Sequence, residues 1–461
     1  MDLNTQQRAA VAADDPAVIV QAGAGSGKTR VVSERVLHHL ACGVAPERIC
    51  VLTFTRAAAQ ELRDRIGAAC WIGTIHSLGL AMLRSIGDTR LVVPAEHRRE
   101  IVLAALKELG FQKETDINDA MDAITHQRFT GEQHEKLTSL VMKYLRALRD
   151  ENCLDFDDLI TEPVRQAGDV NRTWAARFEV VIVDEAQDTA ELEWELLARA
   201  LVGNGNAVVT IVGDPQQSIY GFRGVRTFDR STMLPAFLKT DDPVYYPLQT
   251  NYRSGAAIVA VANDVTRALA YHLRVEACRD GGLVRGWEHL EDEPVQLADA
   301  LCGGRITFVR GSSVAVLCRT NKEVWAFKRA FAARQIVDKD FTIGTVHSAK
   351  GREWDTVVVT GLTNGRFPLL HANWEEEQRL FYVAVTRARN ALLLMGSGLS
   401  SPFWVFVRGV DDGTGAHVPA AGNGADHSAV GNGGDHPDEP AGGGGGAPGG
   451  STGVRGTGNG Q

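Results

Sequence analysis

A glycine-rich segment near the amino terminus constrains this chain more than any other part of the sequence. Residues 21–30 read Gln-Ala-Gly-Ala-Gly-Ser-Gly-Lys-Thr-Arg, after the short apolar run 17–20 and before a helical pattern. Closely spaced glycines let the backbone turn its amide groups toward phosphate oxygens, and the following helix adds its positive end. Ala22 stands where the general pattern begins with glycine, and a chance glycine-rich turn is the alternative. The context predicts a loop that binds a nucleoside triphosphate.

The polar side chains of this loop have separate predicted tasks. Lys28 is expected to reach the outer phosphates, and the Thr29 hydroxyl is expected to bind Mg²⁺. The rest of the predicted nucleotide-binding loop consists of Ala22, Gly23, Ala24, Gly25, Ser26, Gly27 and Arg30.

Length and charge limit the class of protein only loosely. The 461 residues are enough for about three domains, and the formal net charge is −9. After residue 410, acids outnumber bases by five, so the rest of the chain is only mildly acidic. The net charge therefore neither supports nor excludes a groove that follows a nucleic-acid backbone.

Cysteine spacing and hydropathy predict the compartment. The seven cysteines form no Cys-x-x-Cys pair, which argues for reduced thiols and against structural zinc. The chain opens without a basic region followed by an apolar core, and its longest apolar runs have the length of strands. We therefore predict a cytoplasmic protein without a membrane partner, associated with the nucleoid if it is bacterial.

The order of apolar runs predicts an α/β fold. Strand-like runs alternate with helical patterns from residue 17 to about residue 396, as in parallel sheets covered by helices on both faces. Between residues 80 and 152 the pattern is helical and polar, which predicts an all-α insertion. From about residue 411 glycine and small polar residues dominate, which predicts a disordered tail, either inert or tethering. The candidate buried strands are 49–53, 180–183, 208–212, 314–318, 356–360 and 391–395.

Two acids at the end of a strand provide the second half of a phosphate-handling site. The run 180–183 leads directly into Asp184 and Glu185. Such a pair can place one carboxylate on Mg²⁺ and the next as general base toward the attacking water. A strand followed by a solvated acidic turn is the alternative. The predicted phosphate-binding loop at residues 21–30 favours the catalytic interpretation.

Phosphoryl transfer also needs groups that read and neutralise the terminal phosphate. Gln217 follows the run 208–212, at the sheet edge where ligands bind in open α/β folds. Arg253 and Arg387 are candidates for the positive charge beyond the γ-phosphate. Taken alone, either arginine is more typical of a surface salt bridge. Their local sequences favour the catalytic role.

With these residues assembled, the chain resembles superfamily 1 DNA helicases of the UvrD/Rep kind, the 3′→5′ branch. Residues 3–8 resemble the adenine-reading Q motif, and residues 345–355 resemble the motif that couples both ligands. The resemblance implies ATP as the nucleotide. It also implies that Gln7 reads adenine, Tyr252 stacks on it and Glu353 contacts the ribose.

The same resemblance implies how a nucleic-acid strand is held. Aromatic side chains would grip bases by stacking, which tolerates any sequence. Core packing is the alternative for any one of these rings, and RNA is not excluded. Phe222 stands where the family commonly has tryptophan. The residues that match the strand-contacting positions are Phe54, Thr55, His76, Tyr220, Phe222, Arg223 and His347.

The implied architecture is two RecA-like P-loop NTPase domains with ATP between them. The predicted boundaries are 1–80 with 153–250 for domain 1A, 81–152 for a helical 1B-like insertion, 251–408 for domain 2A and 409–461 for the tail. Full-length relatives carry a helical subdomain, 2B, after a strand and turn like those at 314–321. Here residues 332–336 pass almost directly to 341, which leaves no room for it.

These patterns leave three hypotheses. The first is an ATP-dependent translocase on single-stranded DNA with 3′→5′ helicase activity, which acts at junctions of single and double strands. The second is an assembly subunit that displaces proteins from DNA and unwinds only with a protein loading partner, which the missing 2B subdomain favours. The third is a nucleotide switch without nucleic acid, which requires the aromatic residues to be buried.

Overall fold

A computed structural model describes most of the chain up to residue 407. The described residues are 2–110, 117–132, 135–166, 168, 174, 177–201, 207–221, 225, 237, 243–306, 308, 311–336, 341–397 and 400–407. The predicted tail at 409–461 lies outside these residues, as do Phe222 and Arg223.

Strands and helices alternate along the described chain. In chain order the strands are β1 (Ala17–Ala22), β2 (Ile49–Thr53), β3 (Trp71–Thr74), β4 (Leu91–Val92), β5 (Cys153–Leu154), β6 (Val180–Val183), β7 (Val208–Gly213), β8 (Val244–Leu248), β9 (Thr250–Gly255), β10 (Glu276–Arg279), β11 (Leu283–Leu290), β12 (Val314–Cys318), β13 (Phe341–Thr345), β14 (Trp354–Val359) and β15 (Ala388–Ser397). The helices are α1 (Thr5–Val11), α2 (Lys28–Ala41), α3 (Arg56–Ile66), α4 (Ile75–Ser85), α5 (Ala95–Glu108), α6 (Ile117–Thr130), α7 (Glu135–Asp150), α8 (Asp158–Arg165), α9 (Glu191–Ala200), α10 (Ala256–Thr266), α11 (Glu293–Cys302), α12 (Asn321–Ala333) and α13 (Trp374–Val385).

Two parallel sheets organise these elements. The first has the strand order β3-β2-β6-β7-β1-β8, and the second has the order β11-β15-β14-β12-β13. Neighbouring strands in both sheets pair in parallel. The α/β fold class with parallel sheets is confirmed. Two small ribbons, β9 with β10 and β4 with β5, accompany the large sheets. The domain boundaries stay a prediction.

Each large sheet buries side chains on both faces. In β6, Val181 and Val183 belong to one apolar cluster, whereas Val180 and Ile182 belong to another. Successive side chains of a strand point to opposite faces, so a continuous apolar run is what a doubly covered strand requires. The second sheet behaves alike, because β14 also contributes to two separate clusters.

A fully buried arginine ties the amino-terminal helix to the first sheet. Arg35 of α2 donates to the carbonyl oxygens of Ala10 and Val11 at 2.9 and 3.1 Å, and to the Thr210 hydroxyl of β7 at 2.7 Å. Burial lowers the pKa of Arg35. These contacts fix the end of α1, which carries Gln7.

The helical insertion has a core of its own and a charged anchor. Arg128 of α6 donates to both carboxylate oxygens of Asp155 at 2.9 and 2.8 Å and also pairs with Asp158. Arg98 of α5 donates to Asp157 at 2.9 Å. Because these groups are largely buried, removing one partner would leave an uncompensated charge. The anchor therefore holds α5 and α6 against the segment that precedes α8.

Two further features concern insertions and membranes. Seven residues join α12 to β13, so no additional subdomain occurs at that place. Within the described ranges, no helix has both the length and the apolar composition needed to cross a bilayer.

Candidate active site

The glycine-rich loop lies between the carboxyl end of β1 and the first turn of α2. Gly25 and Gly27 have φ angles of +69° and +83°, where other residues are strained. A Cβ on Gly25 would lie 2.8 Å from Arg253 Cβ. Ser26 Oγ is buried and has no hydrogen-bond partner in the described chain. A concave backbone with an unsatisfied hydroxyl fits an anion.

The polar residues at the carboxyl end of this loop are within reach of such an anion. Lys28 Nζ donates to the carbonyl oxygen of Ala22 at 3.2 Å, so its ammonium folds back over the loop. Thr29 and Arg30 follow in the first turn of α2, half-buried. Gly23 and Ala24 are buried. The phosphate-binding role of these loop residues stays a prediction.

The predicted adenine-binding residues meet beside this loop. Asn4 caps α1. Its side-chain Oδ1 accepts from the backbone N–H of Gln7 at 2.7 Å, and its backbone N–H donates to Gln7 Oε1 at 3.0 Å. Gln7 Nε2 donates to the Ser26 carbonyl oxygen at 2.9 Å, and Asn4 Nδ2 donates to the Tyr252 hydroxyl at 2.8 Å. The capping box thus places Gln7 and Tyr252 together at one end of the loop.

The acidic pair follows β6, with Asp184 buried and Glu185 half-buried. Burial and the neighbouring Glu185 raise the pKa of Asp184 to about 8. Burial would also raise the pKa of Glu185, but Lys28 and Lys350 together with other donors hold it below its ordinary value. Glu185 has a φ of +52°, a strained conformation that typically costs about 1–3 kcal/mol. The two carboxylates therefore differ in proton affinity, and the role of Asp184 in binding Mg²⁺ stays a prediction.

Gln217 and Arg387 meet across the cleft between the two sheets. Gln217 lies in a turn after β7, and Arg387 lies between α13 and β15. Arg387 Nη2 donates to Gln217 Oε1 at 2.8 Å, and Gln217 Nε2 donates to Asp214 at 2.7 Å. Burial, with Arg253 nearby, lowers the pKa of Arg387 to about 9. Lys28 and Arg387 both lower the pKa of Glu185, which indicates that both cations lie near this carboxylate.

The second arginine candidate has a different partner. Arg253 of β9 forms an ion pair with Glu353 and donates to the Thr386 carbonyl oxygen at 3.1 Å. Glu353 also accepts from Arg389 Nε at 3.0 Å. Burial raises the pKa of Glu353, whereas the two arginines lower it, and the net shift is downward. The ribose role of Glu353 stays a prediction, since the carboxylate is held by two arginines.

Two of the aromatic rings that are predicted to contact a nucleic-acid strand face each other at the edge of the cleft. Phe54, just after β2, stacks on Tyr220 with ring centroids 5.2 Å apart. The ring of His347 lies 6.5 Å from that of Tyr220. All three are half-buried rather than core residues. Burial, with Arg319 and Lys350, lowers the pKa of His347 to about 4, so this imidazole is neutral near pH 7.

The other predicted contacts have structural tasks as well. Thr55 caps α3 by accepting from the Ala58 amide at 3.1 Å, and it is exposed. His76 is buried, lies 3.6 Å from Glu193 and stacks on Phe156 at 3.9 Å. Their roles in binding a strand stay predictions.

Sequence reasoning assigned no role to four residues that belong to this neighbourhood. Phe156 is 44% exposed beside His76, in the acidic stretch before α8. Lys350 and Asp188 form an ion pair across the cleft. Tyr382 of α13 accepts from the Ala24 amide at 3.4 Å. Lys350 lies inside the predicted motif 345–355, whereas the contact of Tyr382 with residue 24 has no signal in the sequence.

Comparison with known proteins identifies the family. Residues 3–230 match the model of the UvrD/REP helicase N-terminal domain, and residues 336–397 match the UvrD-like helicase C-terminal domain. The chain belongs to the UvrD/Rep helicase family. The resemblance inferred from the motifs is thereby confirmed.

Individual relatives agree with this assignment. The chain is 29% identical to a probable DNA helicase of Mycoplasma pneumoniae over 87% of this chain and 84% of that protein. It is 31% identical to the ATP-dependent DNA helicase UvrD1 of Mycobacterium tuberculosis over 69% of this chain and 47% of the relative. For the ATP-dependent DNA helicase Rep of Buchnera aphidicola the identity is 30%, over 58% and 45%. The chain thus spans about half the length of the UvrD1 and Rep relatives.

Proposed function

We propose that this chain is an ATP-dependent motor that moves along single-stranded DNA in the 3′→5′ direction and unwinds duplexes at junctions. The observation that carries the proposal is the hydrogen bond between Arg387 and Gln217. This hydrogen bond links Arg387, on the side of the second sheet, to the turn after β7. Lys28 and Glu185 lie in the same neighbourhood. A site shared by two sheets can convert the chemistry of one ligand into relative movement.

In the proposed chemistry, the two sides of the cleft, one formed by the first sheet and one by the second, have different tasks. ATP would lie on the P-loop, with Gln7 and Tyr252 at adenine. Thr29 and Asp184 would hold Mg²⁺, which neutralises phosphate charge. Glu185, with its lowered pKa, is ionised near neutral pH and is therefore a competent general base.

Gln217 would orient groups at the terminal phosphate. Arg253, beside the glycine-rich loop, and Arg387, from the side of the second sheet, would supply positive charge to the transition state. Because Arg387 comes from the opposite side of the cleft, hydrolysis would require the two sides to meet.

The strand would lie across the half-buried rings of Phe54 and Tyr220. Each base–ring stack contributes about 1–3 kcal/mol without reading sequence. The accessibility of these rings and the exposure of Phe156 argue against a nucleotide switch without a polymer. Repair, recombination or replication is the proposed setting.

The decisive experiment measures ATP hydrolysis with and without an oligothymidylate. We expect strong stimulation by the oligonucleotide, and loss of hydrolysis in Lys28→Ala. Duplexes that carry only a 3′ or only a 5′ tail then test direction. An ATPase indifferent to single-stranded DNA would contradict the proposal.

A second candidate function rests on the seven-residue link between α12 and β13. Without a subdomain at that place, the chain could be a translocase that displaces proteins from DNA and unwinds only with a partner. Displacement of streptavidin from a biotinylated strand end, without unwinding of either tailed duplex, would favour this function.

A further inference from the structure

α12 buries one face and exposes a tryptophan on the other. Val324, Phe327 and Phe331 are buried in an apolar cluster that includes side chains of the second sheet. These side chains attach the helix to the sheet without Trp325, which is 65% exposed. A single exposed apolar residue is common on protein surfaces, so the ring gains meaning only from its neighbours.

Three cations lie around this ring. The exposed side chains that stand three or four residues from Trp325 are Lys322, Lys328 and Arg329. Such a spacing places side chains on one face of a helix. Lys328 Nζ lies 5.6 Å from the centroid of the Trp325 ring, within the range of a cation–π interaction. The tryptophan and the three cations form what we call the α12 surface.

The acids of this region already have other partners. Glu323, the only acid of α12, pairs with Arg366 at 2.8 Å. Asp299 of the neighbouring α11 pairs with Arg334 at 2.5 Å. Within the part of the chain that the structure describes, no carboxylate forms an ion pair with the three cations of the α12 surface. The surface therefore carries positive charge that is not balanced locally, although the formal net charge of the chain is −9.

The α12 surface begins beside the edge that is predicted to contact a strand. β12 and β13 pair in parallel with Cys318 opposite Thr345, so their carboxyl ends lie at the same edge of the sheet. The chain enters α12 three residues after Cys318 and reaches His347 two residues after Thr345. Burial and the nearby Arg319 lower the pKa of His347, which indicates that the segment leading into α12 lies close to this ring. A strand that contacts His347 would therefore pass near the first turn of α12.

Single-stranded nucleic acid matches the chemistry of this surface. An unpaired base offers a flat face that can stack on tryptophan, whereas the base faces of a duplex are covered by neighbouring base pairs. Phosphate groups complement cations on both sides of the ring. An apolar protein surface would instead remove these cations from water without supplying an anion, which is costly.

We propose that the α12 surface binds a segment of single-stranded nucleic acid outside the cleft. Trp325 stacks on one base, and the three cations contact the phosphates beside it. This contact adds to those of Phe54, Tyr220 and His347, so a longer strand binds more tightly than one that fills the cleft alone. The inference rests on the proposed function, since it assumes that the strand passes His347.

The test compares strands of increasing length. Dissociation constants of fluorescent oligothymidylates, from about 4 nucleotides to well above about 16, are measured by anisotropy without ATP. Trp325→Leu keeps an apolar side chain and removes the ring. For long strands we expect this variant to bind about tenfold more weakly, as the loss of one stack requires, and for the shortest strands we expect the wild-type affinity. Comparison with the wild type at each length removes the effect of additional binding registers on long strands.

The salt dependence tests the phosphate contacts. Lys322, Lys328 and Arg329 are replaced together by glutamine. Each phosphate contact on a single strand contributes about 0.7 to the slope of the logarithm of affinity against the logarithm of salt concentration. For long strands we therefore expect the slope to become shallower by about 2 in the triple variant.

Two single replacements serve as controls. Trp325→Phe keeps an aromatic ring, and we expect it to retain most of the wild-type affinity for long strands. Arg334→Gln is the matched control for charge, because Arg334 follows the same helix but already pairs with Asp299. We expect Arg334→Gln to keep the wild-type affinity and salt slope at every length.

The outcomes separate this inference from the function on which it rests. If the wild-type protein binds no oligothymidylate of any length, the proposed function fails, and the inference fails with it. If the wild type binds, and Trp325→Leu either keeps its affinity for long strands or loses affinity equally at all lengths, only the inference is overturned. A surface that serves a protein partner gives the first of these two results. Circular dichroism identifies a variant that does not fold, and the salt slope of the triple variant then decides.

Discussion

Replacement of Arg387 by methionine should stabilise the nucleotide-free protein while it removes catalysis. Arg387 is 2% exposed. Its guanidinium donates to the carbonyl oxygens of Val383 and Arg352 at 3.0 and 3.3 Å, to the Thr386 hydroxyl at 3.2 Å and to Gln217. Within the described chain, no carboxylate forms an ion pair with it. A buried cation without an anion is a costly arrangement.

The size of that cost follows from the proton affinity. The pKa of Arg387 falls from 12.5 to about 9, chiefly because the group is buried. Each factor of ten corresponds to about 1.4 kcal/mol, so the charged form is disfavoured by about 5 kcal/mol. Methionine removes this cost but deprives four acceptors of a donor, at about 1 kcal/mol each. We expect a net gain of about 1 kcal/mol in the free energy of unfolding.

Activity should change in the opposite direction. An arginine that stabilises the transferred phosphoryl group contributes about a thousandfold or more to the rate. We therefore expect the strand-stimulated ATPase of Arg387→Met to fall by about that factor. Urea unfolding without nucleotide measures stability, and a coupled assay with saturating oligothymidylate measures the rate.

Arg379→Met is the matched control. Arg379 lies on α13, is also nearly buried, and forms an ion pair with Glu375 at 2.8 Å. This change should reduce stability slightly and leave the stimulated rate within about twofold, because a partly exposed pair contributes little. The reasoning fails if Arg387→Met is less stable than the wild type by more than about 1 kcal/mol. It also fails if most of the ATPase survives.

Three other outcomes are expected. In Gly79→Ala the new Cβ would lie 1.8 Å from the Leu159 carbonyl oxygen, so α4 must move away from α8 and urea unfolding should register a loss of about 2–4 kcal/mol. The folded-state pKa of His347, about 4, lies below its ordinary 6.5, so its contribution is complete above about pH 6.5 and is lost as the pH falls toward 4. After allowance for partial exposure this loss is about 2 kcal/mol, and His347→Gln should flatten the acid limb of a stability profile. Gln7→Glu places a carboxylate against the Ser26 carbonyl oxygen, and we expect the KM for ATP to rise about tenfold with a smaller change in kcat.

The buried strands could be predicted from sequence because each is a continuous apolar run. The runs 49–53, 180–183 and 314–318 coincide with β2, β6 and β12, and the others differ from the structure only at their ends. Strands at sheet edges escaped prediction. β8 contains Pro247 and two half-buried tyrosines, and β13 is half-buried throughout, so neither has an apolar signature.

The candidate site divides in the same way. Groups on one loop, such as Lys28 and Thr29, can be given a predicted role because their spacing alone is typical of a phosphate-binding loop. Groups that meet only in the folded chain could not be placed: Lys350 and Asp188 are 162 residues apart, and Tyr382 contacts a loop 358 residues before it. Their meeting depends on how the two sheets face each other, which no local pattern encodes.

The partners of the cleft cations indicate how a triphosphate would act on this protein. Lys350 is held by Asp188, Arg253 by Glu353, and Arg387 by the Gln217 side chain. Each of these cations has oxygen partners within the protein. A triphosphate bound as proposed would therefore compete with these acceptors, and its affinity would be a difference between two sets of contacts. The same replacement would be undone when phosphate leaves, because the protein acceptors remain in place to take the cations back. An exchange of partners in both directions is the property that a repeating motor requires, whereas a site that only gained contacts would bind once and stay closed.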